Sequence, residues 1–384
     1  MPKSFDFAII GAGVFGAWTA RYLRRSGASV VLLDAYGAGN SRSSSGGETR
    51  ILRAGYGPDE LYTRWAINSF PLWREFFAEA GRVFFQPTGV MWVSDASDTH
   101  VWQMWELLNR LGVKCEKLNA ADLSSRYPHL RFSAAAFAVL EPESGVLMAR
   151  QSVHALVKDL ARRQVECRVA AVVEPKGKGQ LEEIKTRSGE SIAAGTFVFA
   201  CGAWLSKLFP EVVGARIFPT RQEVFFLGVP AGSDSFSSPN MPAWLHHTHP
   251  DRPYALPDIE SRGFKIAFDT HGPEFDPDSG ERIVGKTSVE RVRSYLKEHV
   301  PALADATVVE TRVCQYENTW NGDFLIDRHP DFHNVWLAGG GSGHGFKHGP
   351  AVGEYLSSRI LNNAPAEPRF SLESKQTWRA RGIY

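Results

Sequence analysis

The sequence predicts an α/β fold: a discontinuous domain on a parallel sheet, interrupted by an inserted α+β domain on a largely antiparallel sheet. Three observations predict it. Near the start, Gly11-Ala12-Gly13-Val14-Phe15-Gly16 stands between the apolar run 5–10 and a helical stretch over 17–25, and a second apolar run, Val30-Val31-Leu32-Leu33, ends in Asp34. Towards the other end, Asn334-Val335-Trp336-Leu337-Ala338-Gly339-Gly340 reads as a strand leading into a glycine-rich turn and a final helix over 349–361. Between them, residues 215–320 change character to short strands, prolines, aromatics and turns such as Pro277-Asp278-Ser279-Gly280.

The opening motif has the strand, glycine turn, helix, strand and acid of a Rossmann-type dinucleotide-binding unit. Gly11 permits the tight turn, Gly13 lets backbone approach a pyrophosphate, and Gly16 lets helix and strand pack closely. Val14 and Phe15 complete the motif ahead of the helix, whose unpaired N–H groups and positive dipole end suit phosphates. Asp34 is placed to accept hydrogen bonds from ribose hydroxyls. Residues 37–47 are too polar for a core and suit a loop over a cofactor, with Ser45 in it. Helical spacing over 61–80 puts Leu61, Trp65, Ile67, Phe70, Trp73, Phe76 and Phe77 on one core-facing stripe.

Residues 90–93 read as a strand, 100–111 and 150–163 as helices, and 165–173 (with Val172) and 182–187 as strands. Thr196 to Ala200 is a buried strand ending in Cys201-Gly202-Ala203-Trp204, where small residues again let backbone come close to a ligand. The expected division is 1–85, 146–215 and 321–384 for the nucleotide domain, and 86–145 and 216–320 for the substrate domain.

Composition narrows the function. With 43 Lys and Arg against 42 Asp and Glu, the formal net charge of +1 leaves no electrostatic footprint for nucleic acid. No apolar run approaches a membrane span, no signal-peptide pattern opens the chain, and Arg-Gly-Ile-Tyr at the end is not a peroxisomal address. A soluble cytoplasmic protein is expected. Arg21, Arg24 and Arg25 read as a solvated helix face. Cys115, Cys167, Cys201 and Cys314 form no CxxC pair, so neither zinc nor a disulfide framework is expected, and the first three read as buried or half-buried thiols. His246, His247 and His249, between Pro242 and Pro250, read as a loop and not a metal site.

The second glycine cluster favours FAD over NAD. A flavin must rest its ring against backbone far from the adenine, and Gly339-Gly340-Gly341 with Gly343 and Gly345 offers N–H donors near a helix start. Such donors stabilise charge on a reduced ring. Taken in order, the Gly11–Gly16 motif, Thr49-Arg50-Ile51-Leu52-Arg53, the segment 254–265, Cys314, Phe324-Leu325-Ile326-Asp327 and Ser342-Gly343-His344-Gly345-Phe346-Lys347 resemble the monomeric sarcosine oxidase group of the D-amino acid oxidase superfamily. The resemblance spans nearly the whole chain. It implies an FAD enzyme, monomeric, that oxidises the C–N bond of a secondary or primary amino acid to an imine and reduces O2 to H2O2.

It also implies residue roles. Cys314 matches the cysteine that links covalently to the flavin 8-methyl carbon, although noncovalent FAD remains open. Arg53 and Lys347 match the two cations that hold a substrate carboxylate, which suits a planar guanidinium beside an ammonium. Lys265 matches the lysine near flavin N5 that activates O2 by its charge. Arg50 matches a residue packing over the ring, and Thr49, His344 and Tyr254 fall within the same motifs. Three departures stand out. Ser45 and Asp269 replace histidines, and Glu317 replaces a threonine. If Asp269 and Glu317 face the substrate, they favour an amino acid larger than sarcosine with a polar group; alternatively both are hydrogen-bonded structural acids. A flavin dehydrogenase using another acceptor, or an FAD subunit of a larger complex, are the rival readings.

Overall fold

In a computed structural model that describes residues 4–376, β1 (Ser4–Ile10) and β2 (Val30–Asp34) pair in parallel through α1 (Val14–Arg25), with Phe7 opposite Val30 and Ile10 opposite Leu33. Nearly every side chain of these two strands is buried, as a parallel sheet covered on both faces requires. The other side of β1 pairs in parallel with Ser191–Phe199, which pairs in turn with Val335–Gly339. Glu166–Val169 extends the sheet beyond β2, and Leu325–Arg328 closes the opposite edge antiparallel. The final helix, Gly349–Asn362, packs on α1, so the first and last parts of this unit share one core that includes Trp18, Trp73 and Val352.

An eight-stranded sheet forms the second body of structure, and all but one of its pairings are antiparallel. Its order runs from Val308–Thr319 through Ile217–Leu227, Phe264–Phe268, Pro253–Leu256, Ala243–His246 and Val90–Asp95 to Ala136–Glu141 and Glu116–Asn119. The helix Lys286–His299 covers it through Val292, Tyr295 and Leu296. A small antiparallel sheet of Arg50–Leu52, Gly145–Leu147 and Phe85–Gln86 stands apart from both.

The structure corrects several expectations. The segment 215–320 holds two long strands of 11 and 12 residues, paired over almost their whole length; polar stretches such as Thr220 to Glu223 and Glu310 to Arg312 divide their apolar residues. Arg21 is no solvated residue. It is 1% exposed and pairs with Glu79 and Asp159, carried to it by the helices Glu60–Ala80 and Ala149–Arg162. His246 ends a strand and bonds Tyr295 at 3.1 Å, while His247 stacks on His100 at 4.5 Å. Among the described residues no group of His, Cys, Asp and Glu could hold a metal. Cys167 is exposed, on a sheet edge. The C-terminal tetrapeptide 381–384 lies outside the described residues. No helix among those described is long and apolar enough to cross a membrane.

Candidate active site

Strand order places the first cavity. β1 has β2 on one side and Ser191–Phe199 on the other, so the direction of strand addition reverses at β1, where open α/β sheets bind ligands at the strands' carboxyl ends. A cavity of about 370 Å³ lies there, lined by Gly11 and Gly13, Asp34, Cys201 to Trp204, and Gly341, Gly343 and Gly345. Gly11 has a φ of +109°, and a Cβ on it would overlap the Ala200 carbonyl; one on Gly16 would overlap the Gly11 carbonyl. The sequence therefore needs glycine at both positions for strand, turn and helix to meet.

The N-terminus of α1 faces this cavity through Gly13, Val14 and Phe15, and Ser45 Oγ accepts the Val14 N–H at 3.1 Å. Asp34 accepts the N–H groups of Ala12 and Tyr36, both at 2.9 Å, and burial pushes its carboxyl up. Val172 lines the cavity, and Cys201 donates its thiol to the Ile10 carbonyl at 3.3 Å. Trp204 packs against Tyr36 with ring centres 5.7 Å apart and donates to Asp278 at 2.7 Å, which draws the segment around 278 over the cavity.

A chamber of about 70 Å³ adjoins it. Arg50, Tyr316, Gly343 and Phe346 line both spaces and form their common wall. Arg53 and Lys347, 2% and 5% exposed, reach the chamber from just after the strand Arg50–Leu52 and from the turn Phe346–His348. Both lie against one ring, the guanidinium 4.6 Å and the ammonium 5.0 Å from the centre of Tyr56. Lys347 also donates to Tyr56 Oη at 2.7 Å, and Trp92 covers Arg53 at 4.3 Å. Burial, with Arg53 nearby, pulls the Lys347 ammonium well below its usual range.

Lys265 donates to the Thr49 carbonyl and Oγ1, both at 3.0 Å, and burial beside Arg50 pulls its ammonium well down. Arg50 anchors to the Ser44 carbonyl at 2.7 Å and lies 3.7 Å from Cys314 Sγ. Tyr316 donates to Asp269 at 2.8 Å, and burial pushes the Tyr254 phenol up to about 12. Four basic side chains thus meet one acid in the chamber, Asp269, and an anion bound there would favour the charged forms of the two lysines that burial opposes.

One expected position is corrected, and the ring of another points elsewhere. Glu317 lines only the large cavity, because a strand sends alternate side chains to opposite faces and Glu317 is three residues from Cys314. The His344 ring turns inward to the Gly322 carbonyl at 3.0 Å and stacks on Phe324, so it braces the glycine turn from behind. Sequence reasoning missed Glu141. This buried acid accepts Ala54 N–H at 2.7 Å, Gly55 N–H at 3.1 Å and Ser144 Oγ at 2.7 Å, and so fixes the backbone just after Arg53. Its signal was an acid closing the apolar run 134–140.

A family model for FAD dependent oxidoreductases matches residues 6–359. The chain belongs to that family. Among relatives of this oxidoreductase, the monomeric sarcosine oxidase of Bacillus sp. (strain NS-129) is 30% identical over 363 residues, 93% of each chain. The N-methyl-L-tryptophan oxidase of Yersinia pestis (strain Pestoides F) is 26% identical over 91% of this chain and 93% of its own. The solved L-proline dehydrogenase from P. horikoshii shares the fold at a TM-score of 0.83 with 20% identity, covering 99% of this chain and 100% of that one. The resemblance drawn from the motifs therefore stands. The residues of this oxidoreductase fit FAD: a glycine cradle and a helix N-terminus for its phosphates, a second glycine turn, and the unpartnered buried oxygen Glu317 Oε2 in the cavity wall.

Proposed function

We propose that the protein oxidises the C–N bond of a secondary or primary amino acid, with O2 as the electron acceptor and H2O2 as the second product. The observation that carries this reading is the pair of buried cations, Arg53 and Lys347, in a chamber sharing a wall with the cofactor cavity. FAD supplies the acceptor for the hydride that leaves the carbon bearing the amine. Arg53 grips a carboxylate with its planar fork and Lys347 adds point charge, which orients that carbon towards the common wall. The amine binds neutral, so no residue has to act as a strong base, and water hydrolyses the imine. Lys265 is anchored at Thr49, where positive charge on its amine would favour electron transfer to O2.

Asp269 sets the substrate apart from sarcosine in this reading. With Glu317 on the cofactor side, Asp269 is the acid of the chamber, held by Tyr316 and able to accept from a polar donor on the substrate. Anaerobic bleaching of the flavin absorbance with a panel of N-methyl, cyclic and primary amino acids tests the function. Rapid bleaching by one class is expected, and Asp269→Asn should change which member bleaches fastest. No bleaching by any member, or an unchanged order in the variant, overturns the respective claim.

Cys314, buried at the chamber beside Arg50, is proposed to carry the flavin through its sulfur. Acid precipitation of the wild type should leave the yellow colour on the pellet, and Cys314→Ala should release it to the supernatant. Colour in the wild-type supernatant would show the cofactor to be held without a bond. The match to monomeric sarcosine oxidase supports a monomer.

A further inference from the structure

The strand Val308–Thr319 carries an acid that this reaction does not use. Glu317 Oε1 accepts the Gly341 N–H at 3.2 Å, and the Glu317 carbonyl accepts the Ser342 N–H at 3.1 Å. Its Oε2 is shut off from solvent, has no hydrogen-bond partner and belongs to a side chain on the cofactor cavity. A Cβ on Gly202 would stand 3.1 Å from Oε2, and one on Gly341 3.0 Å from Oε1, so the carboxyl fills the space that two glycines leave. A buried carboxylate oxygen without a partner is strongly disfavoured; it takes up a proton or finds a partner in the cavity.

We propose that Glu317 is a hydrogen-bond donor to the cofactor: its protonated Oε2 donates to FAD in the large cavity, and loss of that proton alters the flavin's spectrum and reduction potential. The inference rests on FAD occupying that cavity. Burial pushes the carboxyl up to about 7, against the lowering effect of the Gly341 N–H, so both forms exist near neutrality. The acid form contributes a donor. The carboxylate places negative charge beside a flavin that gains negative charge on reduction, and so opposes reduction. The proton exchanges with buffer, and no bond to the cofactor forms or breaks.

No other group on the packed elements supplies this proton. On the turn after Ser191–Phe199, Cys201 is pushed well up by burial, with Asp34 and Glu317 adding to the effect, and Lys207 pairs with Asp276 and Asp278. On the neighbouring strand Arg221 pairs with Glu223, and on the glycine turn His344 is bonded away from the cavity. Tyr316, the ionisable neighbour on its own strand, donates to Asp269. Arg50 and Asp34 face the cavity from further along its wall.

The test is a pH titration of the oxidised holoenzyme from about pH 5.5 to about pH 8.5 by visible absorbance, repeated for the midpoint potential, in wild type and Glu317→Gln. Oxidised flavin has no ionisation of its own near neutrality, so a spectral shift there reports a neighbour. The wild type should shift with a midpoint near pH 7, and its potential should fall more steeply above it than in the variant. Glu317→Gln, whose amide donates at every pH, should show no spectral shift and match the acid form of the wild type. If that variant does not fold, Glu317→Thr should likewise abolish the shift. A yellow wild type with no shift, or the same shift in a variant, overturns this inference alone; a protein that holds no flavin overturns it together with the cofactor's place.

Discussion

Arg53→Ala is expected to lower kcat/KM by about 10²–10³-fold, the scale seen when one member of a buried charge pair is truncated, about 2–5 kcal/mol. The loss should appear in the reductive half-reaction, measured by anaerobic stopped-flow as a weaker apparent Kd and a slower limiting rate together. Both change because the guanidinium binds the carboxylate and also sets the angle at which the amine-bearing carbon meets the common wall. Arg53→Lys keeps the charge and loses the fork, so it should recover only part of the loss. Reoxidation by O2 should be unchanged, since Lys265, although it lines the same chamber, is held by its own bonds to Thr49 from the strand Phe264–Phe268. A near-normal reductive rate in Arg53→Ala would remove the carboxylate clamp from the mechanism.

Arg21→Ala is expected to destabilise the protein by about 3–5 kcal/mol, the cost of stranding the partners of a buried ion network. Arg21 is 1% exposed, and its partner Asp159 is buried against it. Glu79 also pairs with Arg25 at 2.7 Å and Arg163 at 2.6 Å, so it keeps company after the change, whereas Asp159 keeps, among the described residues, only Arg163 at 2.8 Å. Arg21→Met combined with Asp159→Leu should therefore restore most of the stability. Urea midpoints of the three proteins check this, and a double variant no more stable than Arg21→Ala would mean that the helix packing, and not the stranded charge, is responsible.

The nucleotide half was legible in the sequence because its information is local. Gly11, Gly13, Gly16 and Asp34 lie within a single β-α-β unit, and their spacing states what each must do. The antiparallel half is not local. Ile217–Leu227 finds its partner Val308–Thr319 about ninety residues on, and nothing within either strand reports that pairing. Arg21 misled for the same reason: its acids arrive on two other helices. Glu317 was a different kind of miss. Once Cys314 is taken to face the chamber, strand alternation alone sends a residue three places on to the other side. That rule was available from the sequence and decides between substrate and cofactor.

The order of the seven-stranded sheet also constrains when the enzyme can become an enzyme. Ser191–Phe199 has Val335–Gly339 as its neighbour, and α1 is covered by Gly349–Asn362. During synthesis the opening glycine turn emerges first, yet the strand and helix that complete its surroundings are translated more than three hundred residues later. Until then the face of α1 that Gly349–Asn362 covers lacks its partner. The cavity that would hold the flavin is thus complete only in the nearly finished polypeptide, because Gly341, Gly343 and Gly345 belong to its wall.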